Sequence, residues 1–410
     1  MIKSFKVRLE PNNNQKSFLF ANTNVSRFAY NWTLEQQQIN YKNGGKFISN
    51  FDLRKKLTTL KQAELSWLYN YDVDITKQAV KDACDSYIKF FNKGFGFPKF
   101  KSKKFSKPSF FIDNMRIKIF ESNIKIPKLD TKIKLSEKGY IPLNAKYSNP
   151  RITFDGINWF LSVGVDIECE KQELTNETLG IDAGLKEALI RSDGIAHQNI
   201  NKTKRVKTLR KKHNKLKKSI SRKYEKNKIG KKFVKTQNIK KAELKSNKIY
   251  KKLENIQTDY FNKVAISIAR TKPKKIVMEK LNIEGMRKNK HLSKAFQEAS
   301  LYKLKTKIQN KCLEFGIEFI EAGTFFPSSK RCSHCGALKK DLKLKDRVFK
   351  CGACGLQICR DFNASLNLKQ YPELQGNLSL WSAKSKESSR KTKSGTAKKE
   401  KSQKLNKIAI

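Results

Sequence analysis

Four cysteines in the C-terminal third of the chain have the spacing of zinc ligands. They form two Cys-x-x-Cys pairs, Cys332 with Cys335 and Cys351 with Cys354, which are separated by 15 residues and are each followed by a glycine. Two thiolates on one tight turn can face the same tetrahedral Zn²⁺, and a second turn completes the four ligands. The spacing predicts one structural zinc ion, which holds together a segment too short to form its own core.

The nearby histidine and the other cysteines are expected to take no part in that site. Four thiolates complete a tetrahedral site, so His334 and Cys359 have no ligand role to fill. Cys84, Cys169 and Cys312 lie in apolar patterns, which are typical of small buried side chains. A Lys-rich chain without a secretory signal also argues against a disulfide framework.

Three carboxylates stand at places where chemistry could occur. Asp182 ends an apolar strand beside a glycine turn, Glu279 follows three apolar residues, and Asp361 begins a helix-like run after the second cysteine pair. Taken singly, they are a turn residue, a strand-edge residue and a helix N-cap. Taken together, they suit phosphodiester hydrolysis, in which carboxylates hold two divalent ions about 4 Å apart. The spacing alone does not prove that the three side chains converge.

The first half of the chain combines a β module with helices. Alternating apolar residues predict a strand at 2–9 and more strands between 110 and 169. Apolar residues at three- to four-residue steps predict helices from 15 to about 93. We therefore expect a β module of residues 1–13 and 105–175, interrupted by a helical domain of residues 14–104.

The pattern of the second half predicts an α/β domain with insertions. Together with the first half, it gives an α/β, multidomain fold class for the chain. Strand patterns within 179–190, at 276–278 and at 317–320 alternate with helical patterns, one of which ends at Gly316. We assign residues 176–324 and 357–375 to this domain and residues 325–356 to the cysteine segment. A basic helical arm is expected at about 200–252, and a disordered basic tail at 376–410.

The charge of the chain points to nucleic acid. The 89 Lys plus Arg against 37 Asp plus Glu give a net charge of +52, while 38% hydrophobic residues suffice for a core. A compact protein with this charge needs a polyanion, although a Lys-rich genome accounts for part of the excess. Because no run reaches the roughly 18 apolar residues of a spanning helix and no secretory signal is present, we expect a soluble, cytoplasmic, nucleoid-associated protein.

The order of these motifs resembles TnpB, a family of transposon-encoded nucleases related to the type V CRISPR effectors. The resemblance is carried by Gly180-Ile181-Asp182-x-Gly184, Glu279-x-Leu281, the two cysteine pairs and Arg360-Asp361-x-Asn363-Ala364. It extends to the N-terminus through Val7-Arg8-Leu9-x-Pro11, residues 27–32 and Gly96-Phe97-Pro98-x-Phe100. The similarity therefore covers residues 1–368.

The resemblance implies a RuvC nuclease domain of RNase H-like fold with an inserted zinc ribbon. Before it comes a small wedge β-barrel, which the helical recognition domain interrupts. By motif, Asp182, Glu279 and Asp361 become the catalytic triad and hold two Mg²⁺, and the four paired cysteines hold one Zn²⁺.

The resemblance further implies an Mg²⁺-dependent, RNA-guided DNA endonuclease of a prokaryotic transposon. A guide RNA derived from the transposon end would bind a single copy of the protein and pair with target double-stranded DNA. The protein itself would read a short adjacent motif in the duplex. Lys77, Gln78 and Asn114 lie where TnpB-like proteins approach that motif.

One departure from the family is visible, and three alternatives stay open. Cys359-Arg360-Asp361 stands where the family usually has Asp-Arg-Asp, and we expect Asp361 to remain the metal ligand. A nuclease-inactive, RNA-guided DNA-binding repressor would have lost triad acids. A DNA transposase with an RNase H-like fold also uses three acids, but lacks a zinc ribbon before the third. A basic RNA-binding zinc protein leaves the strand-end acids unexplained.

Overall fold

The computed structural model describes residues 1–374 apart from 169–171, 282–287, 289–291 and 344–345. Cys169 and the expected disordered tail, residues 376–410, lie outside the described residues. The chain divides into two compact units, Met1–Cys169 with Lys211–Lys252 and Glu170–Arg210 with Leu253–Ile410. Among the helices that the structure describes, none is long and apolar enough to cross a membrane.

The first unit is built on a seven-stranded antiparallel sheet with the spatial order β2-β6-β7-β1-β5-β4-β3. Its strands are β1 (Ile2–Glu10), β2 (Ser109–Phe111), β3 (Lys118–Ile119), β4 (Asn123–Lys125), β5 (Ile133–Leu135), β6 (Tyr147–Phe154) and β7 (Trp159–Asp166). The predicted strand at 2–9 is confirmed, and it pairs with β7 from Ile2↔Asp166 to Leu9↔Trp159. In the strand pairs that the structure describes, β2 and β3 are the two edges, so closure into a barrel stays a prediction.

The unit has three helices, α1 (Asn13–Lys42), α2 (Asn50–Ala63) and α3 (Val73–Lys93), with a short 3₁₀ helix at Ser66–Asn70. Helices α1 and α3 contact β2 of the sheet, and α2 packs against α3. A capping box starts α1, because the Asn12 side chain accepts from the Gln15 backbone N–H and the Gln15 side chain accepts from the Asn12 N–H. The end of α3 is Gly94, whose φ of 63° favours glycine. Helices and sheet share one apolar core.

The basic arm is helical, as its spacing predicted, and the structure shows it as a hairpin of two helices. It consists of α4 (Lys204–Lys226), the two short strands β11 (Lys228–Ile229) and β12 (Lys232–Phe233), and α5 (Gln237–Ala269). Of α4, only Val206 and His213 are buried, so most of its Lys and Arg side chains reach solvent. The arm therefore carries an exposed band of positive charge.

The second unit contains a five-stranded sheet with the order β10-β9-β8-β13-β14. Its strands are β8 (Thr178–Ala183), β9 (Glu187–Arg191), β10 (Ala196–Gln198), β13 (Lys275–Glu279) and β14 (Glu318–Ala322). The strands β8, β13 and β14 run parallel, whereas β9 and β10 form antiparallel hairpins. The helices α6 (Ser293–Ala299), α7 (Leu301–Phe315) and α8 (residues 360–374) complete the unit, and α7 ends at Gly316 as predicted.

Helices cover both faces of this sheet. One face packs against the C-terminal half of α5 and against α7, through a core that includes Ile181 and Ile276. On the other face, Val277 and Ala322 pack against Leu368 and Tyr371 of α8. The cysteine segment has a small separate core of its own. Its strands β15 (Val348–Lys350) and β16 (Gln357–Cys359) form a hairpin.

Candidate active site and metal centre

The first two acids extend neighbouring parallel strands. The pairing of β8 with β13 runs from Thr178↔Lys275 to Ile181↔Met278, and Asp182 and Glu279 are the next residue of each strand. Side chains alternate between the faces of a strand. Because Ile181 and Met278 belong to the core on the α5 and α7 side, Asp182 and Glu279 project to the face that α8 covers.

The third acid reaches the same face through a close helix–strand contact. Asp361 lies in the first turn of α8, and α8 crosses β8 at Gly180. A Cβ atom at Gly180 would lie 2.0 Å from the backbone oxygen of Ser365 and 2.3 Å from the backbone nitrogen of Lys369. Only glycine permits this approach, so Gly180 sets the position of the helix that carries Asp361.

The three carboxylates lie close enough for their charges to interact. Burial, followed by the negative charges of Glu279 and Asp361, raises the pKa of Asp182 to about 8, against a lowering effect of Arg360. The whole residue keeps an intermediate exposure to solvent, but its carboxyl group is surrounded by protein atoms. Carboxylates that lie close together in a partly dry site repel one another, and a bound cation would offset that repulsion.

Other side chains contact two of the acids. The Ser328 hydroxyl donates to Oε1 of Glu279. The Arg360 guanidinium donates to Oδ1 of Asp361 from Nε at 3.0 Å and from Nη2 at 2.9 Å, and Nη1 of Arg347 lies 3.9 Å from Oδ2. Asp361 is thus oriented partly by arginines, while Glu279 is oriented by a hydroxyl.

The four paired cysteines form a compact thiol cluster. Their Sγ atoms all lie within 4.8 Å of one another, and Cys332 and Cys354 are 3.7 Å apart while Cys335 and Cys351 are 3.6 Å apart. A tetrahedral site with Zn–S bonds of about 2.3 Å has S–S edges of about 3.8 Å, so the cluster fits Zn²⁺. Within this thiol cluster, backbone N–H groups of Cys354 and Ala353 lower the pKa of Cys351, which favours its thiolate, whereas the pKa of Cys354 is raised.

The thiol cluster and the acids differ in how closely their ligand atoms are gathered. Across the part of the chain that the structure describes, the thiol set alone has all ligand atoms within 4.8 Å of one another. The carboxylates interact but are spread more widely. Their oxygen donors still suit Mg²⁺, which takes few protein carboxylates and keeps water or substrate oxygens as further ligands.

Of the N-terminal candidates, Lys77 is linked through Asp74 to the turn that contains Asn114. Arg116, in the turn that contains Asn114, pairs with Asp74 at 3.1 Å, and Asp74 pairs with Lys77 at 3.5 Å. The third candidate, Gln78, donates instead to Asp82 at 2.8 Å. Lys77 and Asn114 are exposed, whereas Gln78 is half-buried.

A basic cavity of about 710 Å³ opens in the same unit between α1 and residues 101–109. Lys101 lines the cavity and is held in place, because its backbone exchanges two hydrogen bonds with the Asn31 side chain and its Nζ lies 3.6 Å from the Tyr30 ring centroid. Phe105 is 83% exposed, with Lys104 Nζ 5.2 Å from its ring centroid. The charged lining residues are Arg27, Lys101, Lys103, Lys104, Lys107 and Asp155. Cations beside an exposed ring are the usual means of binding an unpaired nucleotide.

Several residues around the acids carry no signal in the sequence. Ser328 is an ordinary serine before the first cysteine pair, yet its hydroxyl contacts Glu279. Lys305 lies in an amphipathic helix, yet its buried Nζ donates to the Glu279 backbone oxygen and pairs with Glu321, both at 3.1 Å. Such long-range hydrogen bonds depend on tertiary structure, so spacing along the chain could not predict them.

Comparison with known families matches three stretches of the chain. The models are described as "Cas12f1-like, TNB domain" at residues 302–368, "Probable transposase" at residues 160–290 and "Helix-turn-helix domain" at residues 1–46. In the last stretch the structure has β1 followed by the single long helix α1. The first model spans the thiol cluster and Asp361, and the second spans Asp182 and Glu279.

Similar proteins extend the match to most of the chain. A Streptomyces pristinaespiralis protein described as "Putative RNA-guided DNA endonuclease" is 25% identical over 368 residues, 89% of this chain and 88% of that protein. The Escherichia coli K12 protein InsQ, with the same description, is 23% identical over 384 residues, 90% of this chain and 91% of its own. The Cas12f1 endodeoxyribonuclease of Sulfoacidibacillus thermotolerans is 36% identical over 76 residues, 18% of each chain.

Two solved structures are also similar. A Cas12f1–sgRNA–target DNA complex matches with a TM-score of 0.35 and 17% identity, over 90% of this chain and 99% of that chain. The mini-RNA-guided endonuclease CRISPR-Cas phi3 matches with a TM-score of 0.48 and 10% identity, over 90% of this chain and 92% of that chain.

The three family matches include the strand-end acids and the thiol cluster, and they relate the chain to the OrfB proteins of the IS605 type. Within that class the chain is a TnpB-type protein, as the order of its motifs predicted.

Proposed function

We propose that this TnpB-type chain is an RNA-guided DNA endonuclease. The observation that supports it most is the meeting of three acids on one sheet face, in a protein that resembles two described RNA-guided endonucleases over most of its length. Hydrolysis of DNA requires charge stabilisation at a phosphodiester, and a carboxylate cluster is the usual means of holding the ions that supply it.

The fold of the second unit supports a RuvC nuclease domain of RNase H-like type. Its sheet begins with three antiparallel strands and continues with two parallel strands on the other side of β8, the order β10-β9-β8-β13-β14. The same proposal includes the domain limits. They are 176–324 and 357–375 for the nuclease domain, 325–356 for the zinc ribbon, 14–104 for the helical recognition domain, and 1–13 with 105–175 for the wedge barrel.

Asp182, Glu279 and Asp361 would hold two Mg²⁺ in this proposal. Such ions, when bound, lower the pKa of water and stabilise the leaving oxygen of a phosphodiester. The protein contributes fixed carboxylates: Asp182 by its strand, Glu279 by the Ser328 hydroxyl and Asp361 by the Arg360 guanidinium. The thiol cluster would hold one Zn²⁺ as a structural centre, because four thiolates leave no open position.

Guide RNA and target DNA would bind along the positive surfaces. The basic arm, the cavity beside Phe105 and the exposed Lys77 all present cations in the described chain. Phosphate contacts supply affinity, whereas guide pairing supplies sequence and the protein reads a short motif in the duplex. We assign motif reading to Lys77, Gln78 and Asn114, on one protein copy per guide RNA in a prokaryotic cell.

A nuclease-inactive, RNA-guided repressor is the second candidate. The absence of the first acid of the family's Asp-Arg-Asp motif, where the chain has the exposed Cys359, is the observation that favours it. The presence of all three triad acids on one face favours the endonuclease instead.

Cleavage by the purified ribonucleoprotein tests the proposal. RNA that copurifies with the protein is sequenced, and matched DNA bearing candidate adjacent motifs is offered with and without Mg²⁺. We expect cutting only with Mg²⁺, none with Asp182→Ala, and unchanged DNA binding by that variant. Asp259→Ala is the matched control, since Asp259 is an exposed acid paired with Lys263.

Three outcomes separate the candidates. Full cleavage by Asp182→Ala would overturn the site assignment. Guide-dependent DNA binding without cutting by the unaltered protein would establish the repressor. Absence of any copurifying RNA would remove the guided function altogether.

A further inference from the structure

A buried polar network joins the first cysteine pair to helix α8. Asn367 is fully buried, and its Nδ2 donates to the backbone oxygens of Ser328 at 2.8 Å and Arg331 at 2.6 Å. Its Oδ1 accepts from Nη1 of Arg331 at 2.9 Å. Both the nitrogen and the oxygen of this side chain thus bind one short segment, residues 328–331.

Two further side chains of α8 bind the same segment. Asn363, also fully buried, donates to the Arg331 backbone oxygen at 2.7 Å and accepts from the Ser333 backbone N–H at 2.9 Å. Gln370 accepts from Arg331 Nη1 and donates to the Ser333 backbone oxygen, both at 2.9 Å. Residues 363, 367 and 370 follow the four- and three-residue steps of one helix face, so α8 holds residues 328–333 along two turns.

This network touches both candidate metal sites. We call it the amide brace, and it consists of Asn363, Asn367 and Gln370 with residues 328–333. Cys332 lies between the two braced residues Arg331 and Ser333. At one end of the braced segment, Ser328 donates to Glu279, and on α8 Asp361 lies two residues before Asn363. A fully satisfied buried network has one preferred geometry, so the brace links the thiol cluster to two of the three acids.

We propose that Ser328 and Asn367 are positioning residues for the acids, and that binding of zinc by the thiol cluster is required for Glu279 and Asp361 to take their metal-binding geometry. The inference rests on the proposed function, and it adds control of one metal site by the other. The cysteine segment has few buried apolar residues of its own, so without zinc the 328–333 segment loses the fixed conformation that the brace needs. Glu279 then loses its hydroxyl partner, and α8 loses the contacts that fix its first turn.

Metal binding by the protein without DNA tests this coupling. Mn²⁺, a spectroscopic substitute for Mg²⁺, is titrated and followed by electron paramagnetic resonance, while zinc content is measured by elemental analysis. Partners outside a ligand shell typically contribute 10- to 100-fold to metal affinity. We therefore expect Asn367→Ala and Ser328→Ala to weaken Mn²⁺ binding about tenfold or more with zinc retained, and Ser328→Thr, which keeps the hydroxyl, to restore it.

Selective removal of zinc is the second arm. A thiol-preferring chelator that leaves Mn²⁺ free should weaken Mn²⁺ binding by a similar factor, and readdition of zinc should restore it. Lys369→Ala is the matched control, because Lys369 lies on α8 but pairs with Glu177 outside the brace. Unchanged Mn²⁺ affinity in the zinc-free protein, or in zinc-loaded Asn367→Ala and Ser328→Ala, would overturn the inference.

The outcome for Asp182→Ala separates this inference from the proposed function. If that variant keeps full Mn²⁺ affinity, the acids are not the metal site and the proposed function fails. If it loses Mn²⁺ while the brace variants do not, only the coupling fails. Circular dichroism shows whether each variant has folded. If Asn367→Ala has not, the Mn²⁺ affinity of Ser328→Ala, the smallest change, decides the test.

Discussion

The acidic site depends on residues whose charges are held close together in partly dry surroundings. The carboxyl of Asp182 has a pKa raised to about 8 by burial and by its two acidic neighbours. A folded protein that holds an acid in this way loses stability when the acid ionises, and regains it when a cation binds. Metal binding and ionisation at this residue are therefore linked.

This linkage predicts a pH-dependent effect of Mg²⁺ on thermal stability. The folded pKa of Asp182 lies above its ordinary value of 3.8, so in metal-free protein its contribution to the free energy of unfolding falls as pH rises from about 4 to about 8. Mg²⁺ must displace a proton at about pH 6 but not at about pH 9. We expect Mg²⁺ to raise Tm by more at the higher pH, as measured by differential scanning calorimetry.

A neutral variant provides the control for that prediction. Asp182→Asn cannot ionise, so the difference between the two pH values should shrink, and Mg²⁺ should raise its Tm little at either. An equal Mg²⁺ effect at both pH values in the unaltered protein would show that Asp182 is not linked to metal binding.

At the scale of elements, the most demanding contact is that between β8 and α8. The helix backbone lies so close to Gly180 that a methyl group cannot enter without moving it. This contact holds Asp361 near Asp182, and it explains why a glycine precedes the first acid by two residues.

Substitution of that glycine should therefore be costly. We expect Gly180→Ala to lower the free energy of unfolding by about 1–3 kcal/mol or more, because the methyl group would overlap backbone atoms, which cannot rotate away. Urea unfolding followed by circular dichroism measures the change. Gly96→Ala, at a glycine with open space around it, should stay within about 0.5 kcal/mol. Equal effects of the two substitutions would contradict the packing argument.

The elements themselves were largely predictable, but their long-range contacts were not. Periodicity indicated β1, β8, β13, α7 and the helical arm, since apolar spacing reflects which side chains a strand or helix buries. Cysteine spacing indicated the thiol cluster that the structure forms. Ser328 and Asn367 were not predicted as parts of the site, because their hydrogen-bond partners lie about 40 to 50 residues away in the chain.

At the scale of the whole molecule, the charge of +52 is spread over several distinct surfaces. The arm hairpin exposes a band of cations along α4, and the cavity between α1 and residues 101–109 adds cations beside an exposed ring. These surfaces differ in chemistry, because the arm offers mainly charge whereas the cavity offers charge together with a stacking partner.

The cavity can be tested by separating charge from stacking. We expect Lys103→Ala to weaken binding of the guide RNA and to reduce the salt dependence by about one phosphate contact. Phe105→Ala should weaken binding by about 1–3 kcal/mol with the salt dependence unchanged, because stacking releases no counterions. Filter binding at several salt concentrations measures both, with the exposed Lys263→Ala as control. Unchanged affinity in both cavity variants would exclude the cavity as an RNA contact.

The C-terminal tail provides a test of how much of the charge serves binding. Residues 376–410 contain ten of the 89 Lys and Arg, and the sequence from 382 onward is rich in Ser and Lys. The acids, the cysteines and the amide brace all precede this segment, so we expect its deletion to leave zinc content and guided cleavage largely intact. Cleavage rates of the full chain and the truncated chain are compared with the same guide RNA. Loss of guide RNA from the truncated protein would show that these cations contribute to RNA binding rather than reflecting a Lys-rich genome.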